Sequence, residues 1–266
     1  MNILSKLKNR KLGLIELMSM GFEVYIKNLK PILLVFSTIN LSFLIIMLAM
    51  RFLLPNNPEL SIFVFRIFGS IIFGSSLFIC QIIYFIPIAI ITNNYVYGRH
   101  NNYQSVVKKL LASLVPLFLL SLRFILKVFM LYLGAIITGL LLFLLLSLLN
   151  LQFHIYFHPV FSVLVSLVLI VLTRPVIIYI INNQYYGLAF LLRDQRGTAA
   201  FAYSRSIVKD NWWRVFFFSF LVMLLDFGLQ QLFYIPFIIV QFIAIGIVIG
   251  STLLFLNLDF HKKLDN

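Results

Sequence analysis

The sequence predicts an all-α polytopic membrane protein with six transmembrane helices arranged as three hairpins, each preceded by a basic amphipathic interfacial helix. Three observations lead there. Of the 266 residues, 62% are hydrophobic and 11% charged, with a mean hydropathy of +1.05. A soluble domain carries about 25% charged and 45–50% apolar residues. The chain also contains uncharged apolar runs of twenty residues or more, and its cations gather at alternate ends of those runs.

Other classes fit poorly. A net charge of +13 would point to nucleic acid in a soluble protein. Here the cations flank apolar segments, the pattern of topogenic and headgroup-facing charge, so no nucleic-acid partner is expected. The single cysteine, Cys80, lies inside an apolar run and reads as inert packing. The basic N-terminus (Lys6, Lys8, Arg10, Lys11) is followed by Glu16, with no small-residue cleavage site after it, so no cleaved signal peptide is expected.

The expected organisation is one integral membrane domain. It comprises an interfacial helix (1–30), a first hairpin (31–98), a basic helix with a second hairpin (99–192), and a basic helix with a third hairpin and short tail (193–266). Residues 13–30 read as amphipathic, with Leu14, Leu17, Met18, Gly21, Phe22, Tyr25 and Leu29 on one face and Glu16, Glu23 and Lys27 on the other. Glu23 and Lys27 are ordered for an i,i+4 pair. Pro31, at a tolerated first-turn position, opens an uncharged run to Met50. Twenty residues at about 1.5 Å rise match the hydrocarbon core.

After the turn PNNP at 55–58, the run from Ile67 to Tyr97 carries no charge and exceeds one membrane thickness. In the next segment, Lys109, Ser113, Pro116, Arg123 and Lys127 share a helical stripe. Val128–Leu149 is the secure span, and residues 111–127 are either interfacial or an extension of the same helix. A fourth run reaches Leu192, interrupted only by Arg174. The stretch LRDQRGTAAFAYSRSIVKDNWWRVFFF (192–218) brings five cations and two tryptophans to the start of span five, and span six runs from about Pro236 to Asn257. In that stretch Arg205 and Lys209 are expected to face headgroups, Phe201, Val208, Trp212 and Val215 the acyl boundary, and Asp210 to pair with Arg214.

Six spans place both termini on one side. The connections on that side hold sixteen Lys/Arg against two opposite, so both termini are expected in the cytoplasm of a bacterial inner membrane. NNYVYG (93–98) and NNQYYG (182–187) match each other as an internal repeat at the cytoplasmic ends of spans two and four. Counted inward from the outer loops, hydrocarbon thickness is used up near residues 82, 130 and 177, yet apolar residues continue through 83–97, 111–127 and 178–192. These extensions must tilt, lie in the interface, or pack as a collar. Arg123, Lys127 and Arg174 then cluster at the inner headgroup level.

Two stretches carry a family resemblance. LIELMSMGFEVYIKNLKPILLV (14–35) and AFAYSRSIVKDNWWRVF (200–216) resemble the membrane domain fused to some bacterial glycerophosphodiester phosphodiesterases and its free-standing relatives of unknown function. The resemblance implies a six-span helical protein with a role in envelope maintenance. The chain has FHIYFHP where that pattern has Pro-Gly-Ile, and the phosphodiesterase domain itself has no counterpart in it, so no hydrolase activity carries over.

Chemical motifs are sparse. His154 and His158 have helical spacing but lack further ligands, and Asp226 reads as an interfacial residue, so no metal or cofactor is expected. Gly246 and Gly250 form a G-x-x-x-G suited either to internal packing or to a homodimer or other membrane-protein partner. No nucleophile–base pair appears, and the chain is expected not to be an enzyme. The expected function is engagement of anionic lipid at the cytoplasmic leaflet, affecting membrane or envelope organisation. Arg123, Lys127, Arg174, Arg205, Lys209 and Arg214 are its headgroup-binding candidates. The alternative is a transporter or export/immunity component moving a small or amphipathic substrate.

Overall fold

The computed structural model describes residues 3–38, 82–153, 158–231 and 237–264, with positions 41 and 45 besides. The outer part of the first expected span, the PNNP turn, Cys80 and His154 lie outside these. Among the described residues the chain is all-α, without strands. Its helices are α1 (Ile3–Asn9), α2 (Leu14–Lys27), α3 (Leu29–Thr38), α4 (Ile82–Val96), α5 (Tyr103–Phe153), α6 (His158–Asn183), α7 (Tyr186–Arg193), α8 (Thr198–Val208), α9 (Trp212–Gln231) and α10 (Phe237–Leu264). Among the described residues, three segments are long and apolar enough to cross a membrane: Tyr103–Leu142, Val171–Arg193 and Phe242–Lys262.

Helix α5 answers the question about residues 111–127. It is one continuous helix of 51 residues, and residues 103–110, expected as part of a separate basic helix, form its first turns. At 1.5 Å per residue it is about 76 Å long, more than twice the hydrocarbon thickness. Helix α6 returns along it, with Phe124 stacked on Tyr179 at 5.8 Å. Helices α9 and α10 are antiparallel too: Arg214 bonds to Asn257, while a Cβ on Gly250 would stand 3.4 Å from the Phe218 ring. Gly250 therefore packs closely inside the molecule, whereas a Cβ on Gly246 would meet nothing within 4 Å.

The core is a collar of short helices gathered around the C-terminal half of α10. Leu253 to Phe260 are buried without interruption, polar residues included. A helix apolar on every side must be enclosed, and here α1, α2, α8 and α9 supply the enclosure. The last expected residues of span six, 253–257, thus lie inside protein.

Helix α2 differs from its amphipathic reading. Leu17, Met20, Gly21 and Val24 are buried, and a Cβ on Gly21 would meet Ile249 and Leu253 of α10 at 3.8 and 3.9 Å. Ile15, Met18, Phe22 and Ile26 form a second apolar face that is exposed, Phe22 by 67%. Between the two runs the polar strip, where Lys27 donates to Glu23 at 2.6 Å as its spacing foretold. The single broad face read from the sequence is therefore two faces with different neighbours.

The two repeat-like segments both end an apolar helix, then diverge. Gly98 stops α4 at φ +66°, where only glycine is unstrained. Gly187 is helical, and its missing side chain admits Phe85: a Cβ there would stand 3.1 Å from that ring.

Gly187→Ala is expected to destabilise the protein by roughly 1–3 kcal/mol through overpacking against Phe85. Gly134→Ala, in an open stretch of α5, is expected to be neutral or to stabilise by up to about 1 kcal/mol through helix propensity. Thermal unfolding in detergent separates the two.

Candidate functional site

Two polar side chains on the buried end of α10 organise the collar. Asn257 satisfies all of its hydrogen-bonding groups. Its Oδ1 accepts from the Leu12 N–H at 3.1 Å and from Arg214 Nη2 at 2.9 Å, and its Nδ2 donates to the carbonyls of Leu7 and Arg10 at 2.8 and 3.0 Å. Arg214 also donates to the Leu12 carbonyl. The expected headgroup contact of Arg214 and its pairing with Asp210 thus give way to internal partners. The cause is local: α9 turns this side chain toward the α1–α2 connection.

Asp259, with no exposed side-chain surface, pairs with Arg193. The Arg193 Nε donates to its Oδ2 at 2.8 Å, Nη2 donates to the same oxygen, and the Tyr203 hydroxyl donates to Oδ1. Arg193 Nη2 also reaches the Tyr97 hydroxyl at 3.4 Å. Burial first, then Asp259 itself, pushes the Tyr203 hydroxyl above its ordinary pKa, so it remains a protonated donor. Lys262 caps the cluster, donating to Ser206 at 2.6 Å and lying 4.5 Å from the centre of the Tyr203 ring. Three segments of the chain meet at this carboxylate, and Tyr97 joins them through Arg193.

The outward-facing site lies on the other side of α7. A cavity of about 690 Å³ opens between α5 and the α7–α8 connection, with Lys109, Arg123 and Arg196 around it against the single anion Asp194. Ala112, Pro116, Leu119, Leu120, Phe190 and Leu191 form its apolar wall. Pro116 has no N–H, so the Ala112 carbonyl in this wall loses its helical donor. The connection turns sharply, through positive φ at Asp194 and Gly197, and directs Arg196 to the cavity that Arg123 enters from α5.

Of the headgroup candidates, Arg123, Lys127, Arg174, Arg205 and Lys209 are exposed, and Arg214 is the half-buried exception. Arg123 and Arg205 both lie within electrostatic reach of the Tyr179 phenol. Its ring belongs to an aromatic cluster in which Phe124 also stacks on Tyr186 at 5.0 Å and on Phe201 at 6.5 Å. Taking the Phe124–Tyr179 stack as a common level, helical rise places Arg123, Lys127 and Arg174 within a band about 9 Å tall. Phe201, Val208 and Val215, expected at the acyl boundary, are buried in the core instead. The outward face of α9 carries Trp213, Phe217 and Phe220, with Trp213 exposed by 66%.

The sequence places Lys109 and Arg123 on one helical stripe but does not show Arg196 as their partner, because the α7–α8 connection is far from α5 in the chain. Sequence reasoning also left Asn257 at the end of a span and Asp259 in a tail. The available signal was two lone polar residues in LLFLNLDF (253–260), a run with no polar face to present to solvent. Among the described residues no group of three or more His, Cys, Asp or Glu could hold a metal ion. Comparison with family models, curated proteins and solved structures finds no match.

Asp259→Leu strands the Arg193 guanidinium and is expected to cost about 3–5 kcal/mol, most of it recovered when Arg193→Met is added. Thermal unfolding of both variants in detergent checks the pair.

Proposed function

We propose that the protein is a non-enzymatic membrane protein that binds anionic lipid at the cytoplasmic leaflet and thereby affects membrane or envelope organisation. The observation that carries this reading is the convergence of Lys109, Arg123 and Arg196 on one cavity with an apolar wall. A phospholipid needs both features, cations for its phosphate and a dry surface for the start of its acyl chains. Helix α8 begins at this connection, so its dipole adds positive potential to the same side.

The cation band supports the same reading. It divides α5 near its middle, leaving 26 residues from Val128 to Phe153, about 39 Å of helix, to reach through a bilayer. Within the proposal the chain has six spans with both ends in the cytoplasm of a bacterial inner membrane. The chain's two ends do lie together, since Asn257 bonds to the α1–α2 connection. Kinship with the phosphodiesterase-linked membrane domain belongs to the proposal as well and brings no hydrolytic step. Arg205 and Lys209 extend the basic surface along α8, and Trp213 marks the interface, where an amphipathic ring is favoured.

Each juxtamembrane cation contributes about 1 kcal/mol toward an acidic surface. Replacing Lys109, Arg123 and Arg196 by Gln is therefore expected to weaken retention of phosphatidylglycerol by about 3 kcal/mol, on the order of a hundredfold. Binding of zwitterionic lipid should not change, and Lys11→Gln should leave both unaltered. Lipid titration of the detergent-solubilised protein, read by native mass spectrometry, checks this. Equal retention in the triple variant rejects the site.

A further inference from the structure

A second cavity, of about 640 Å³, lies at the centre of the molecule, where α3, α4, α5, α7, α9 and α10 approach one another. Among the described residues its lining carries no charge. Two polar pairs stand on its wall: Tyr186 donates to Ser121 at 2.8 Å, and Ser219 donates to the Gln184 side-chain carbonyl at 2.5 Å. The remainder is aliphatic and aromatic, including Phe36, Ile82, Met223, Ala244, Ile245 and Val248.

On α10 the apolar wall reaches farther from the collar than the polar pair on α9 does. Arg214 and Asn257 are bonded and so share a level on α9 and α10. Ser219 lies five residues beyond Arg214, and Ala244 lies thirteen from Asn257, in the same direction away from the collar. The difference is eight residues by this pair and five by the closer Phe218–Gly250 contact, about 8–12 Å of helix. On α9 and α10 the cavity therefore extends as a hydrocarbon-like surface beyond its hydroxyl and amide groups, in the direction in which the apolar spans continue, while Leu117 lines its collar side on α5. On α5 the polar pair at Ser121 is two residues, about 3 Å, from Arg123 and hence from the cation band.

We propose that this cavity binds an uncharged, hydroxyl-headed lipid, with its head on the Gln184–Ser219 and Ser121–Tyr186 pairs and its hydrocarbon tail directed toward the membrane. Size and lining match ligand sites, which are mostly apolar with a few placed polar groups. Head charge separates this occupant from the anionic lipid of the basic cavity. A phosphate here would lose its hydration with no cation to replace it, whereas a hydroxyl exchanges water for Ser, Tyr and Gln groups at little cost. The two cavities stand on either side of α7, Gly187 facing the central one and Phe190 the basic one. The central site therefore does not depend on the basic one for its occupant.

The test uses the full chain in proteoliposomes with two diazirine-bearing probes, a diacylglycerol and the matching phosphatidylglycerol. Cross-linked peptides are mapped by mass spectrometry. The diacylglycerol is expected to label the Ser219–Met223 and Ala244–Val248 segments above the level seen at the outward Trp213–Phe217 face, which reports bulk lipid. Ala244→Phe, which fills the apolar end, is expected to lower cavity labelling about tenfold, a loss of about 1.4 kcal/mol. Gln184→Leu with Ser219→Ala removes the polar pair without adding bulk, and is expected to lower labelling similarly should Ala244→Phe fail to fold. The Lys109, Arg123 and Arg196 neutralisations should leave diacylglycerol labelling unchanged while reducing that by phosphatidylglycerol, so either site can fail alone. Cavity labelling no higher than at the outward face overturns the proposal. So does equal labelling by the anionic probe, or labelling that survives both variants.

Discussion

The collar depends on two polar side chains buried two residues apart in one helix. Successive residues turn by about 100° around a helix, so Asn257 and Asp259 point to nearly opposite sides of α10. Asn257 holds the α1–α2 connection and α9, while Asp259 holds α7, α8 and the end of α4. Hydrophobic contact alone would let the short helices slide over the apolar surface of α10. Each buried polar group removes that freedom, because a shift of one turn leaves an acceptor or a guanidinium without a partner, at a cost of several kcal/mol. Apolar burial supplies the attraction, and these two residues set the register.

The arrangement also answers a problem created by length. Helix α5 is too long to be covered by a bilayer, and the ends of α4 and α10 carry apolar residues beyond any polar boundary. The ends of α4 and α10 bury their surface in the collar, whereas α5 buries only the stripe of Val106, Ser113, Leu117, Leu120 and Ser121 and leaves Leu111, Val115, Leu119 and Leu126 exposed beside the cations of the rim. The basic cavity forms at the proline of α5 and the sharp turn after α7. Its charge and its dry wall are both by-products of how the collar closes.

Much of the architecture was legible in the sequence. Composition and uncharged runs point to a helical membrane protein, and the excess of apolar residues through 83–97, 111–127 and 178–192 required tilt, an interfacial path or a collar. The i,i+4 pair of Glu23 and Lys27 follows from spacing because it depends on nothing beyond one helix. What could not be read shares a cause: it depends on contacts between distant segments. Arg214 looks the same in sequence whether it faces headgroups or the Leu12 carbonyl. The α2 helix shows its apolar positions but not that α10 takes one set and leaves the other open. Asp259 near the end of the chain resembles a solvated tail until Arg193 is placed beside it, although the absence of a polar face around it was a visible warning.

The four hydrogen bonds of Asn257 also bear on how the chain is made. They join residues up to 250 positions apart, so the first helices cannot dock until the last one exists. At 5–20 residues per second, that interval is on the order of tens of seconds. Throughout it, Leu7, Leu17, Met20 and Val24 lack their final cover. The exposed face of Ile15, Met18, Phe22 and Ile26 gives this segment a way to wait, resting on the membrane surface until the last helix emerges. The second apolar face of α2 would then serve the nascent chain as a temporary berth as well as the finished protein.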